Sequence, residues 1–147
     1  METLAYQNNT RPIATGVTLH FPWGLLGFPD IHEYTLLDIA PDVPFKCLQA
    51  IHGPDLAFIL LDPFMLEPDY QVAVQAQDLR DLNVQDPKHL GLLVILTIPQ
   101  AAPDQATANL QGPILVNTEN HRAKQVVLVQ SAYHTRHPLL SSASAPA

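Results

Sequence analysis

Proline occurs at fourteen places in this chain, most of them between apolar runs and none inside one. A proline lacks the amide that a ladder or a helix interior needs, so each one closes an element or opens a turn. The runs that remain are VTLHF (17–21), YTLLD (34–38), FKCLQA (45–50), AFILL (57–61), YQVAV (70–74), GLLVILTI (91–98), ATANL (106–110), ILVN (114–117) and QVVLVQ (125–130). They are rich in Val, Ile, Leu, Phe and Thr, and turn signals such as HGPD, EPD and PQAAPDQ separate them. Short β-type runs spaced about 8–15 residues apart predict an all-β barrel or sandwich. The expected fold is all-β, a small β-barrel-like single domain with one short helix. That helix is AQDLRDLN (76–83), with Leu79 and Leu82 three apart among charged residues. It is expected to plug one end of the barrel. One domain spans 1–147, with its core at 15–138 and a flexible tail at 139–147.

Composition narrows the partners. Hydrophobic residues make up 47% of the 147 and charged residues only 14%, against about 25% charged in ordinary domains. The surface therefore has room for an uncharged contact face. Seven basic against fourteen acidic residues give a net charge of −7, which repels phosphate backbones and anionic lipid. Neither nucleic acid nor membrane is an expected partner. The single cysteine, Cys47, excludes an intramolecular disulfide and is read as a buried, inert thiol. The longest apolar run, 90–98, is too short to cross a bilayer, and METLAYQNNTRP has no apolar leader. A cytoplasmic location is expected.

No residue set nominates itself as catalytic. His134 and His137 are three apart, which on a strand places them on opposite faces, so no metal or cofactor is expected. Asp30, Glu33 and Asp38 lie near one another, as do Asp62, Glu67 and Asp69, but sequence spacing does not place two acids in one cleft. Asp62-Pro63 reads as the start of a turn. Serines are confined to Ser131 and 141–144, with no G-x-S-x-G. GLLGF (24–28) lacks the phosphate-loop pattern; its glycines permit a tight turn that throws Trp23, Leu25 and Phe28 into or across the core. By elimination the chain reads as a binding module and not an enzyme. The rival is a small-ligand or enzymatic β-barrel with a pocket in its mouth, bordered by His52, His121 or His134. A structural subunit of a larger assembly is a third reading.

Four stretches together resemble one family, the flagellar assembly factor FliW. They are FPWGLLGFPD (21–30), PFKCLQA (44–50), LAFILLDPF (56–64) with Asp69-Tyr70, and TANLQGPILVN (107–117) with Gln125 beyond it. They stand in the family's order over roughly residues 15–138. Leu26 stands where the family often has proline, and Ala123 where glycine is common before the Lys-Gln pair. The first dozen residues and SSASAPA have no clear counterpart.

The resemblance implies a β-barrel-like protein without catalytic activity or cofactor. It implies binding to CsrA, a basic dimeric regulator that represses translation by gripping messenger RNA, and to flagellin. In the family picture flagellin occupies the factor until it is exported. The freed factor then captures CsrA at a place other than its RNA groove, and flagellin translation resumes. For this chain, Glu67, Asp69, Tyr70, Asp78 and Asp81 are the expected CsrA-facing residues. Leu25, Phe28, Leu110, Pro113 and Asn117 are the expected flagellin-facing ones, by an apolar groove or strand edge. The plainer alternative makes these last five core and turn residues. Asn109, Gly112, Pro113 and Asn117 are also read as fixing a strand–turn–strand unit.

Overall fold

The computed structural model describes residues 3–6, 13–52, 55–129 and 132–139. Strands β2 (Val17–His20), β3 (Glu33–Asp38), β4 (Lys46–Ala50), β5 (Ala57–Leu61), β7 (Leu90–Thr97), β9 (Ile114–Asn117) and β10 (Ala123–Gln125) follow the order β10-β9-β7-β5-β4-β3-β2, antiparallel throughout. The two ends of this path meet. His20 bridges Arg122 in parallel, and the His20 amide donates to the His121 carbonyl at 2.9 Å. The sheet is thus a nearly closed barrel, which removes most of its exposed edge.

Alternation along the barrel strands separates two cores. Leu19, Tyr34, Leu36, Leu48, Leu60, Leu93, Ile114, Val116 and Ala123 point inward together with Phe21 and Leu25. The opposite face of β7, through Leu92, Val94 and Leu96, meets Leu61, Leu115 and a second layer. That layer holds β6 (Val72–Gln75), paired with β1 (Thr3–Tyr6), and α1 (Ala76–Asp81) directly after it. Beside it lie β8 (Thr107–Ala108) and β11 (His137–Pro138), paired with each other. β7 is covered on both faces, which explains why its sequence is a continuous apolar run and not an alternating one.

Several expectations need correction. The helix stops at Asp81, two residues early, because Asn83 turns the chain at φ +57. It does not plug the barrel. Leu82 and Leu79 pack into the outer core, away from the barrel interior. The last run pairs as 123–125, not 125–130. Its partner β9 begins only after Pro113, so regular pairing ends there. The Val126 and Leu128 amides still donate to Pro113 and Gln111 carbonyls at 3.0 and 2.8 Å. β1 and β11 were not anticipated. Cys47 is half-buried, since it sits on the outer face between Leu37 and Ile59. Asp62 does start a turn: its carboxylate accepts from the Phe64 amide at 2.9 Å ahead of the 3-10 turn Pro63–Met65. Ser131 and tail residues 140–147 lie outside the described residues.

Candidate functional site

Two of the stretches singled out in sequence, 21–30 and 107–117 with Gln125, meet in space. Asn109 folds the turn before β9 by accepting the Gln111 and Gly112 amides on Oδ1, at 3.1 and 2.9 Å. Gly112 is favoured by crowding and not by backbone sign, because a Cβ there would lie 2.8 Å from Asn109 Nδ2 and displace that side chain from the turn. Gln125 of β10 donates from Nε2 to the Gly112 carbonyl at 2.9 Å and accepts the Leu26 amide on Oε1 at 2.9 Å. One side chain therefore joins the 109–113 turn to the 21–30 loop.

That loop is a tight reversal. The Leu25 and Phe28 backbones bond to each other, with Gly27 at φ +87 in the third position, as a type II turn requires. Leu25 is buried in the barrel at 3% exposure, whereas Trp23, Leu26 and Phe28 are 50%, 57% and 37% exposed. The expectation that Trp23 and Phe28 enter the core with Leu25 is thus corrected: the turn is too short to aim all three side chains the same way. The Phe28 ring stays against Phe58, edge to face at 5.6 Å.

Beneath the loop, Lys124 lies 5.4 Å from the centre of the Trp23 ring. Its ammonium donates to Asp78 Oδ1 at 2.7 Å and Asp81 Oδ2 at 2.8 Å, stapling α1 to β10. Burial alone would raise the Asp81 carboxyl, but hydrogen bonds from Lys124 and Gln77 and the charges of Lys124 and Arg80 hold it below its usual value. Burial alone would lower Lys124, but the two carboxylates raise it above the usual lysine value. Asp81 adds stability above the unfolded carboxylate value of about 4, lost as pH falls through its depressed pKa. Lys124 adds stability below about 10.4, lost as pH rises through its raised pKa. Lys124→Met should therefore lower stability by about 1 kcal/mol near neutrality after allowance for solvent screening. The gap to the parent should close in acid below about pH 4, read by urea melts across pH. A gap unchanged down to pH 2 would show that the carboxylates do not depend on this lysine.

The expected acidic face is consequently not uniform. Asp78 is buried at 8% exposure, Asp81 is half-buried, and both are compensated by Lys124. Asp69 is exposed and Glu67 half-buried, and Glu67 accepts the Asp69 amide at 3.3 Å. Tyr70 has no exposed surface. Its hydroxyl donates to the Leu110 carbonyl at 2.5 Å, and its ring packs on Phe64 and Tyr133 at 6.0 and 4.6 Å. Burial, and less so Tyr133, pushes its pKa up. As a surface residue Tyr70 is corrected. The same holds for Leu25, Leu110, Pro113 and Asn117, all buried. They shape the loops and leave Phe28 as the exposed member of that set.

Asn117 sits at 2% exposure. Its Nδ2 donates to the Leu82 and Asn83 carbonyls, and its Oδ1 accepts from the Glu119 and Asn120 amides. His52 and His134 are exposed, and His121 is a half-buried turn residue at φ +63. Sequence reading passed over Trp23 and Leu26 as contact residues. The available signal was three bulky apolar side chains squeezed between two glycines and a proline.

Residues 6–139 match the family model "FliW protein". The chain belongs to the FliW family. A flagellar assembly factor FliW from Caldanaerobacter subterraneus subsp. tengcongensis is 38% identical over 123 residues, covering 83% of this chain and 81% of that protein. One from Moorella thermoacetica is 34% identical over 139 residues, covering 95% and 88%. A crystal structure of the flagellar assembly factor FliW superposes with a TM-score of 0.77 at 32% identity, covering 94% of this chain and 96% of that one. The nearly closed barrel with one short helix is thus the FliW fold. Among the described residues no helix is long and apolar enough to cross a membrane.

Proposed function

We propose that this FliW family member is a flagellar assembly factor that works in the cytoplasm by binding and not by catalysis. It binds CsrA away from the RNA groove and relieves its repression, and it binds flagellin, so that flagellin level sets flagellin translation. Membership of the FliW family over residues 6–139 is the observation that carries this reading. Two surface features support it. The net charge of −7 suits a basic regulator, with Glu67 and Asp69 as acidic groups not engaged by a cation in any ion pair described. Trp23, Leu26 and Phe28 offer exposed apolar contacts of the kind that anchor interfaces. In this reading they, and not the buried Leu25, Leu110, Pro113 and Asn117, are what flagellin touches.

The test is co-elution of the purified protein with CsrA and with flagellin on a sizing column. Complexes are expected with each. The double variant E67K/D69K should weaken CsrA binding about tenfold at low salt and flatten its salt dependence, with flagellin binding kept. An unchanged CsrA affinity would move that surface elsewhere. Co-elution with neither partner would overturn the reading and favour a ligand-binding barrel.

A further inference from the structure

We infer that Gln125 is a positioning residue for the 22–28 loop, holding Trp23, Leu26 and Phe28 in the form presented to a partner. This rests on the binding role proposed above. The Leu25–Phe28 reversal satisfies its own end groups, with the Phe28 amide donating to the Leu25 carbonyl at 2.8 Å. The Leu26 amide points out of the turn and finds its partner in Gln125 Oε1, 99 residues away in sequence. Gln125 is itself fixed twice, by its backbone in β10 opposite Ile114 and by its Nε2 on the Gly112 carbonyl. Its neighbour Lys124 supports the Trp23 ring. Without Gln125, the loop keeps Leu25 in the core and Phe28 against Phe58, but its Leu26 tip loses its hydrogen bond to the barrel and is held less tightly. Ordering exposed side chains before they meet a partner reduces what binding must spend on immobilising them.

Trp23 is the only tryptophan of the chain, so its fluorescence anisotropy decay reports the loop directly. Q125M keeps the length of the side chain and removes both hydrogen bonds. It should increase the fast depolarisation of Trp23 and weaken flagellin binding about five- to tenfold, with CsrA binding kept. Q125E retains the acceptor for Leu26 and should stay closer to the parent than Q125M. Adding L26P to Q125M places proline second in a type II turn, where its fixed φ fits. It should restore slow depolarisation of Trp23, which a general loss of stability would not allow; Trp23 decay is the readout here because the Leu26 side chain is itself a proposed contact. Parent-like Trp23 decay in Q125M, or no rescue by L26P, overturns the inference. Failure of the parent to bind flagellin overturns the functional reading instead, and the Trp23 decay of Q125M still decides the positioning role.

Discussion

Replacing Asn117 by alanine should destabilise the protein by about 3 kcal/mol, seen as a fall in Tm of about 10 °C. The side chain fills a buried position at the end of β9 and serves both sides of it. Toward α1 its Nδ2 reaches the Leu82 carbonyl at 2.9 Å and the Asn83 carbonyl at 3.2 Å. Toward the next turn its Oδ1 receives the Glu119 amide at 2.8 Å and the Asn120 amide at 3.3 Å. Alanine removes all four bonds and leaves backbone groups that water cannot easily reach. Leu82 O keeps one partner, the Asn120 side-chain Nδ2 at 3.1 Å, which limits the loss. Asn117→Asp separates the halves. A carboxylate still accepts the turn amides, but it cannot donate to the two carbonyls and sets its charge against them. N117D should therefore be as damaging as N117A at neutral pH and recover in part in acid, where a protonated carboxyl can donate again. If N117A lost less than about 1 kcal/mol, Asn117 would not be what ties α1 to the barrel.

This residue shows where sequence reading stops. Asparagine after a β-run is recognisable as a turn former, because its amide competes with the backbone for local hydrogen bonds. That its other half holds the end of α1, 34 and 35 residues earlier, depends on which strands pair, and nothing local encodes it. The acidic segment behaves the same way. Asp78 and Asp81 are visible as charges, but their cation, Lys124, comes 46 and 43 residues later. The apolar face of α1 was legible from Leu79 and Leu82. Which of two cores it would meet was not, since both cores take leucine equally well.

The elements themselves were easier, for a physical reason. Proline is disfavoured in ladders, and among the described residues Pro138 of the two-residue β11 is the exception, so most gaps between strands were marked locally; Pro63, Pro87 and Pro103 each open a 3-10 turn where their missing amide costs nothing. The run 91–98 was legible as a strand, and its lack of alternation is explained by the burial of β7 on both faces. A barrel-like fold was expected, but the residues that close it were not legible: closure rests on a bridge between His20 and Arg122, polar residues with no pattern to announce it. Two of the stretches that carried the family resemblance, 21–30 and 107–117, turn out to meet through Gln125, so the resemblance included a junction whose geometry the individual stretches did not reveal.

The largest effect of a single added methyl group should be at Gly24. Gly24 and Gly27 both have positive φ, +67 and +87, so alanine strains the backbone at either. Their surroundings differ. A Cβ on Gly27 meets nothing within 4 Å, so G27A should cost only the conformational term, about 1 kcal/mol. A Cβ on Gly24 would press into the Phe28 carbonyl oxygen and lie 2.7 Å from Pro29 Cα, both of them backbone that cannot swing aside. The loop must then open, breaking the Leu25–Phe28 pairing and drawing Leu25 from the barrel core. G24A should therefore cost about 3 kcal/mol or more. In chemical denaturation its midpoint should fall well below that of G27A, and Trp23 anisotropy should drop in G24A alone. Equal midpoints for the two variants would mean that the loop accommodates the methyl group, and that the close passage of Gly24 beneath Phe28 is not what fixes the exposed face of the site.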